Sequence, residues 1–114
     1  MVRCSPPMKT KTSLFAAVLL AGSVLSFAQD LTDAGTVFAK NCVLCHGADG
    51  HSQTSAGKTL MAADLTAQGV QGQSDVQIRN ALAKGKGKMP AYGPALGEKG
   101  LDAMVKYVRS LKAK

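Results

Sequence analysis

Two thiols and an imidazole stand together at Cys42-Val43-Leu44-Cys45-His46. Residues three apart on a helix lie about one turn apart on one face, so Cys42 and Cys45 present both sulfurs in the same direction. His46, next to Cys45, can swing its ring over the same surface. Three chemistries use such a set. A structural zinc site wants four ligands, ordinarily from a second Cys or His pair; His51 is the one further candidate, which leaves the set a ligand short. A thioredoxin-like dithiol wants a strand before the motif and a βαβ chain around it; here a helical pattern precedes it in a short chain. Covalent haem attachment wants two sulfurs for two vinyl groups and one nitrogen for iron, and C-x-x-C-H is its signature. The spacing points to haem, with Cys42 and Cys45 as thioether anchors and His46 on the iron.

Iron held by one histidine has a sixth position, for which the chain offers Met61, Met89, Met104 and His51. Met104 falls in the apolar stripe of a helix and reads as core. Met61 lies within or beside a short helix, where methionine more often fills gaps than binds metal. His51 follows His46 so closely that it is tethered near the proximal side, and reads as a solvated loop residue. Met89 stands in a loop, followed by Pro90 and bracketed by Gly87 and Gly93, so it can be carried across a ring. Its thioether is soft and neutral, and a Met/His pair raises the potential of haem iron. The competing reading of Met89 is ordinary loop packing.

These residues need helices to position them. Thr32 with Asp33 suggests the start of a helix running to about Cys45, with Ala34, Phe38, Cys42 and Cys45 on one face. Residues 47–59 read as a polar loop, 61–68 as a short helix, and 69–73 as a break. Ser74 and Gln77 form a capping box before Ile78, Ala81 and Leu82, and Gly85 is a stop. Lys84–Gly100, rich in glycine and proline, reads as an irregular loop. Leu101, Met104, Val105, Val108 and Leu111 then fall at helical spacing, with Asp102, Lys106, Arg109 and Lys112 opposite. No alternating pattern marks a strand, so the expected class is all-α.

The N-terminus has another character. Met8-Lys9-Thr10-Lys11 is basic, Leu14–Leu25 is apolar, and Ser26 and Ala28 are small residues placed as a signal peptidase reads them. Residues 1–28 are expected to be a signal peptide, starting at Met1 or Met8, with residues 29–114 as the domain. The apolar run is too short for a bilayer, which takes about 20 residues, so no stable membrane insertion is expected after cleavage. Cys4 leaves with the leader. Removing Arg3, Lys9 and Lys11 takes three of 14 basic residues and none of seven acidic ones, lowering the net charge from +7 to +4. That charge suits an acidic protein partner, and no basic stripe with aromatics supports nucleic acid. With no tryptophan and three aromatics, Phe38, Tyr92 and Tyr107, residues 29–114 have little to bury. Chains this small often need a staple, a metal or a prosthetic group.

The order CVLCHG, GKTL at Gly57–Leu60, MPAYG at Met89–Gly93 and KYVRSL at Lys106–Leu111 resembles the small monohaem class I cytochromes c. The likeness is to the short lumenal or periplasmic type of algae, cyanobacteria and other bacteria, and covers nearly all of residues 29–114. It implies a helical bundle wrapped around one covalent haem c, with Cys42 and Cys45 as its thioether anchors, His46 as proximal ligand and Met89 as distal ligand. It also implies that Gly35 and Phe38 pack on Tyr107 where the first and last helices cross. Such families often place a proline before the KTL-like segment, whose carbonyl accepts the proximal imidazole N–H. Here Ser55-Ala56-Gly57 occupies that stretch, which leaves the acceptor for His46 unassigned.

The expected function is that of a soluble, exported, monomeric carrier of single electrons between redox proteins, in the periplasm or, in a photosynthetic host, the thylakoid lumen. It is not expected to be an enzyme. Lys84, Lys86 and Lys88, leading up to Met89, would steer an acidic partner if their loop lies by the haem edge; otherwise they are a solvated basic loop. The alternatives are a haem subunit dedicated to one dehydrogenase or oxidase, and a haem enzyme or gas sensor with an open sixth site. The available Met89, and the lack of a distal His/Arg pair, argue against the last.

Overall fold

Apolar residues at helical spacing organise the chain, and the computed structural model describes it from residue 25 to residue 112, with side chains from residue 33 onward. Most of the expected leader, with Cys4 and the apolar run from Leu14, lies outside the described residues. Six helices follow in order: α1 (Leu25–Asn41), α2 (Val43–His46), α3 (Ser55–Leu60), α4 (Gln68–Gln71), α5 (Asp75–Lys84) and α6 (Gly93–Ser110). Among the described residues, extended pairing is limited to one bridge between Lys86 and Met89. None of these helices is long and apolar enough to cross a membrane.

α1 packs across α6, and α6 also packs on α5. The crossing of α1 and α6 is where Phe38 and Tyr107 meet, ring centroids 4.9 Å apart and planes tilted by 41°, an offset geometry that aromatic quadrupoles favour. Ala34, Phe38, Ile78, Leu82, Leu101, Met104, Val105 and Val108 form the buried core. The α6 stripe lies as its spacing indicates, with Leu101, Met104, Val105 and Val108 buried. Two arginines flank the α5–α6 contact. Arg79 pairs with Asp102 at 2.9 Å and with Glu98. Arg109 reaches Asp75 at 2.8 Å and donates from Nη1 to the Gln71 carbonyl at 2.7 Å.

The element boundaries differ from the sequence expectation in several places. α1 begins at Leu25, so Thr32 lies inside it rather than at its start. The helix after the motif is Ser55–Leu60, where a loop was expected, because Thr54 caps it: its Oγ1 accepts from Gly57 N at 2.9 Å. The expected helix over 61–68 is loop as far as Ala67, Met61 having turned left-handed at φ 53° to end α3, and α4 (Gln68–Gln71) falls where the break at 69–73 was expected. The Lys84–Gly100 loop is also shorter than expected. Pro94 starts α6, where its fixed φ fits a first turn, and a kink at Gly97 (φ 64°) separates that turn from the main stripe. The capping box at Ser74 and Gln77 and the stop at Gly85 stand as read.

Candidate functional site

α1 and α2 are nearly one helix. Cys42 N donates to Phe38 O at 2.9 Å, and His46 N donates to Cys42 O at 2.8 Å. Cys42 and Cys45 therefore lie a turn apart, as the spacing requires, and neither is in a disulfide. α3 locks the end of α2 in place. Thr54 Oγ1 donates to Leu44 O at 2.6 Å. Gly57 is so close beneath that a Cβ there would collide with the Cys45 carbonyl and lie 2.7 Å from that of Ser52.

The loop between α5 and α6 carries Met89. Lys86 N donates to Met89 O at 3.2 Å, and Met89 N to Lys86 O at 3.0 Å, closing a tight turn around Gly87 and Lys88. Gly85 permits it: φ is 76°, and a Cβ would lie 2.5 Å from Met89 O. Both conditions select glycine. Tyr92 N then donates to Leu82 O at 2.8 Å, tying the loop back to α5.

Between these elements lies a mostly apolar cavity of about 560 Å³, within the roughly 300–1,000 Å³ of sites that enclose a cofactor-sized ligand. Cys42, Cys45, His46 and Met89 all line it. Met104 lines it too while remaining buried, so it is core and cavity wall together. Met61 borders it and is 83% exposed. Lys86 and Lys88 are on its lining, whereas His51 and Lys84 are not. Among the described residues no three His, Cys, Asp or Glu side chains converge as a metal cluster would need.

The acceptor that the sequence left unassigned is Ala63. Its carbonyl lies 3.0 Å from His46 Nδ1, and Ser52 Oγ lies 3.2 Å from the same nitrogen. Ser52 Oγ in turn donates to Ala63 O. With the hydroxyl proton committed there, Nδ1 meets only acceptors and carries the proton. Nε2 is left as the nitrogen with a lone pair free to bind a metal. No local pattern marks Ala63 or Ser52 as partners of His46; Thr54, of a residue type that favours N-caps, was the signal for α3 that the loop reading passed over. His51 faces away from the cavity, its Nδ1 3.3 Å from Asp64 Oδ2 and 3.2 Å from Thr66 Oγ1. Hydrogen bonds from the Thr66 hydroxyl and backbone N–H, with a smaller contribution from His51, hold the Asp64 carboxyl below its usual range. Burial, and secondarily Cys45, pushes the Cys42 thiol up, so the unmodified chain keeps it protonated at neutral pH.

The donor set fits a haem: two sulfurs a turn apart, one imidazole of fixed tautomer, a thioether, and apolar walls. Comparison with known proteins agrees. Residues 29–108 match the family model described as cytochrome c oxidase, cbb3-type, subunit III. Cytochrome c6 of Synechococcus sp. is 32% identical over 111 residues, covering 94% of this chain and 96% of its own. Cytochrome c6 of Bryopsis maxima is 37% identical over 79 residues, covering 69% and 89%. A solved c-type cytochrome, KustC0563, superposes with a TM-score of 0.64 at 27% identity, over 70% of this chain and 98% of that one. With this fold, this motif and these relatives, the chain belongs to the monohaem class I cytochromes c, all-helical electron carriers with one covalently bound haem c.

Proposed function

We propose that this chain is an exported shuttle for single electrons, its haem joined to Cys42 and Cys45 and its iron held between His46 Nε2 and Met89 Sδ. The observation that carries the reading is the one cavity lined by all four residues, with His46 Nδ1 turned to a backbone carbonyl. Met61 borders the same cavity but leaves the chain two residues before Ala63, on the His46 side. Met61 is 83% exposed, whereas Met89 is half-buried and held at the cavity by its turn, which favours Met89 as the second ligand. The leader-like residues 1–28 support export.

The haem supplies one-electron exchange between ferric and ferrous iron. The chain does the rest. The bond to Ala63 fixes the His46 ring. The apolar walls exclude water, and the neutral Met89 thioether favours the less charged ferrous state. The Gly85–Met89 turn is closed by its own backbone bonds, so both ligands can stay in place as the charge changes. Lys86 and Lys88, exposed at the cavity mouth, raise the local positive potential and would steer an acidic redox protein.

The test is a visible spectrum of the exported protein, oxidised and reduced, beside a haem-stained denaturing gel. His/Met low-spin bands and a stained band at the size of residues 29–114 are expected. A colourless product would sink the reading. A second reading, a haem subunit dedicated to one oxidase or dehydrogenase, is favoured by the description of the matching family model. Stoichiometric co-purification with a membrane oxidase would select it over a diffusible shuttle.

A further inference from the structure

We propose that Ser52 is a positioning residue for His46, moderating the imidazole through the Ala63 carbonyl that the two side chains share; this rests on the reading of His46 as the iron ligand. Ser52 is buried, with only 5% of its surface exposed, yet its backbone is left-handed at φ 57°. That conformation is uncommon for a residue other than glycine, asparagine or aspartate. What serine adds over glycine here is its hydroxyl, and the hydroxyl is aimed at the proximal ligand: Oγ donates to Ala63 O, and both oxygens lie within 3.2 Å of His46 Nδ1.

Backbone bonds already hold this carbonyl in place on both sides. Ala62 N donates to Gly57 O at 2.9 Å, and Leu65 N donates to Gly50 O at 2.8 Å. Ser52 N is separately bound to His46 O at 2.8 Å. The hydroxyl is therefore not needed to locate the Ala63 peptide, and its effect is on the strength of the acceptor. A carbonyl oxygen has two lone pairs. A hydroxyl bound to one draws electron density from the oxygen and weakens it toward the second donor, His46 Nδ1–H. A stronger acceptor would pull that proton further, make the imidazole more imidazolate-like and favour ferric iron. Ser52 Oγ, at 3.2 Å the longer of the two contacts to Nδ1, is itself the weaker acceptor, so the net effect of Ser52 is to limit that pull and to act on the potential in the same direction as the methionine thioether.

The experiment uses the holoprotein with Ser52→Ala and Ser52→Gly, read by midpoint potential and by the His46 Nδ1–H proton resonance of the reduced state. Both variants lose the hydroxyl. Glycine also relieves the backbone, so at least one folded variant is secured. Both are expected to lower the potential and move the resonance downfield, with both axial ligands retained in the visible spectrum. A potential that is unchanged or raised in the two variants overturns the proposal, as do shifts of opposite sign, which would trace the effect to the backbone. The parent reading fails differently: His46→Ala holoprotein would then keep the wild-type spectrum.

Discussion

Two glycine-to-alanine changes on helices should have opposite outcomes. Gly57 is buried within α3 against the end of α2. A Cβ there would run into the Cys45 carbonyl oxygen and stand 2.7 Å from Ser52 O and 2.9 Å from Thr54 Oγ1. Two of these obstacles are backbone atoms, which have no rotamer to escape into, and the third is the hydroxyl that caps α3. Helix propensity alone would reward alanine by up to about 1 kcal/mol. Overpacking typically costs about 1–3 kcal/mol, and backbone obstacles place Gly57→Ala at the upper end, for a net loss of roughly 2 kcal/mol. In a domain of about 60–100 residues each kcal/mol moves Tm by about 4–8 °C, so melting should fall by roughly 8–16 °C. Gly35 is the control. A Cβ there would meet Tyr107 Cε2 at 3.5 Å, an ordinary contact, so Gly35→Ala should be neutral or stabilise by up to about 1 kcal/mol. Thermal melts of both holoproteins, with urea midpoints as a second measure, decide the matter. A Gly57→Ala protein melting at or above wild type would refute the packing of α3 on the cysteine motif.

Met89→Ala should lower the midpoint potential and let carbon monoxide bind the ferrous protein promptly; an unchanged potential and spectrum would remove Met89 from the iron. Asp64 is held below its usual range by Thr66 and His51, so its contribution to stability is complete above the unfolded value near 4 and is lost as pH falls through the lower folded value. The acid limb of a stability profile should accordingly be steeper for wild type than for Asp64→Asn, and coincident limbs would contradict that. Arg109→Met removes bonds to Asp75, Gln71 O and Gln73 O and should cost about 1–3 kcal/mol in urea unfolding. Reversing Lys86 and Lys88 to Glu should slow electron transfer to an acidic partner and invert its dependence on ionic strength; a rate indifferent to both would leave the loop a solvated one.

What was legible in the sequence is what short-range chemistry encodes. Cys42, Cys45 and His46 are bound to one another by helix geometry, and the structure places them together as their spacing requires. The Ser74–Gln77 cap and the α6 stripe are likewise local patterns, and both stand where they were read. Errors came where a single residue's backbone decided the matter. Met61 turns left-handed without being glycine, which ends α3 and undoes the helix expected after it. Pro94 read as a loop residue because proline breaks helix interiors, although it also opens them. Ala63 carried no signal at all: what it contributes to His46 is a carbonyl oxygen, which every residue has, and its place depends on a fold that brings residues 46, 52 and 63 together.

The core and the cavity are one body. Of the eight buried apolar residues among those described, five (Phe38, Ile78, Leu82, Met104 and Val108) also line the cavity. The side chains that should hold the helices together are thus the same ones that would face a prosthetic group bound in the cavity, and without it they border water or collapse. Burying apolar surface yields about 25 cal/mol per Å², and a domain this small buries too little to spare a central share of it. The haem is then a part of the folded core as well as its redox centre. Replacing both Cys42 and Cys45 by Ala should leave a chain whose secondary structure melts with little cooperativity at room temperature, and adding haem should restore a sharp transition at a lower temperature than in the covalent protein. A haem-free double variant that unfolds cooperatively near the wild-type Tm would show that the helices close on one another unaided, and that the cavity is a binding pocket in an already complete fold.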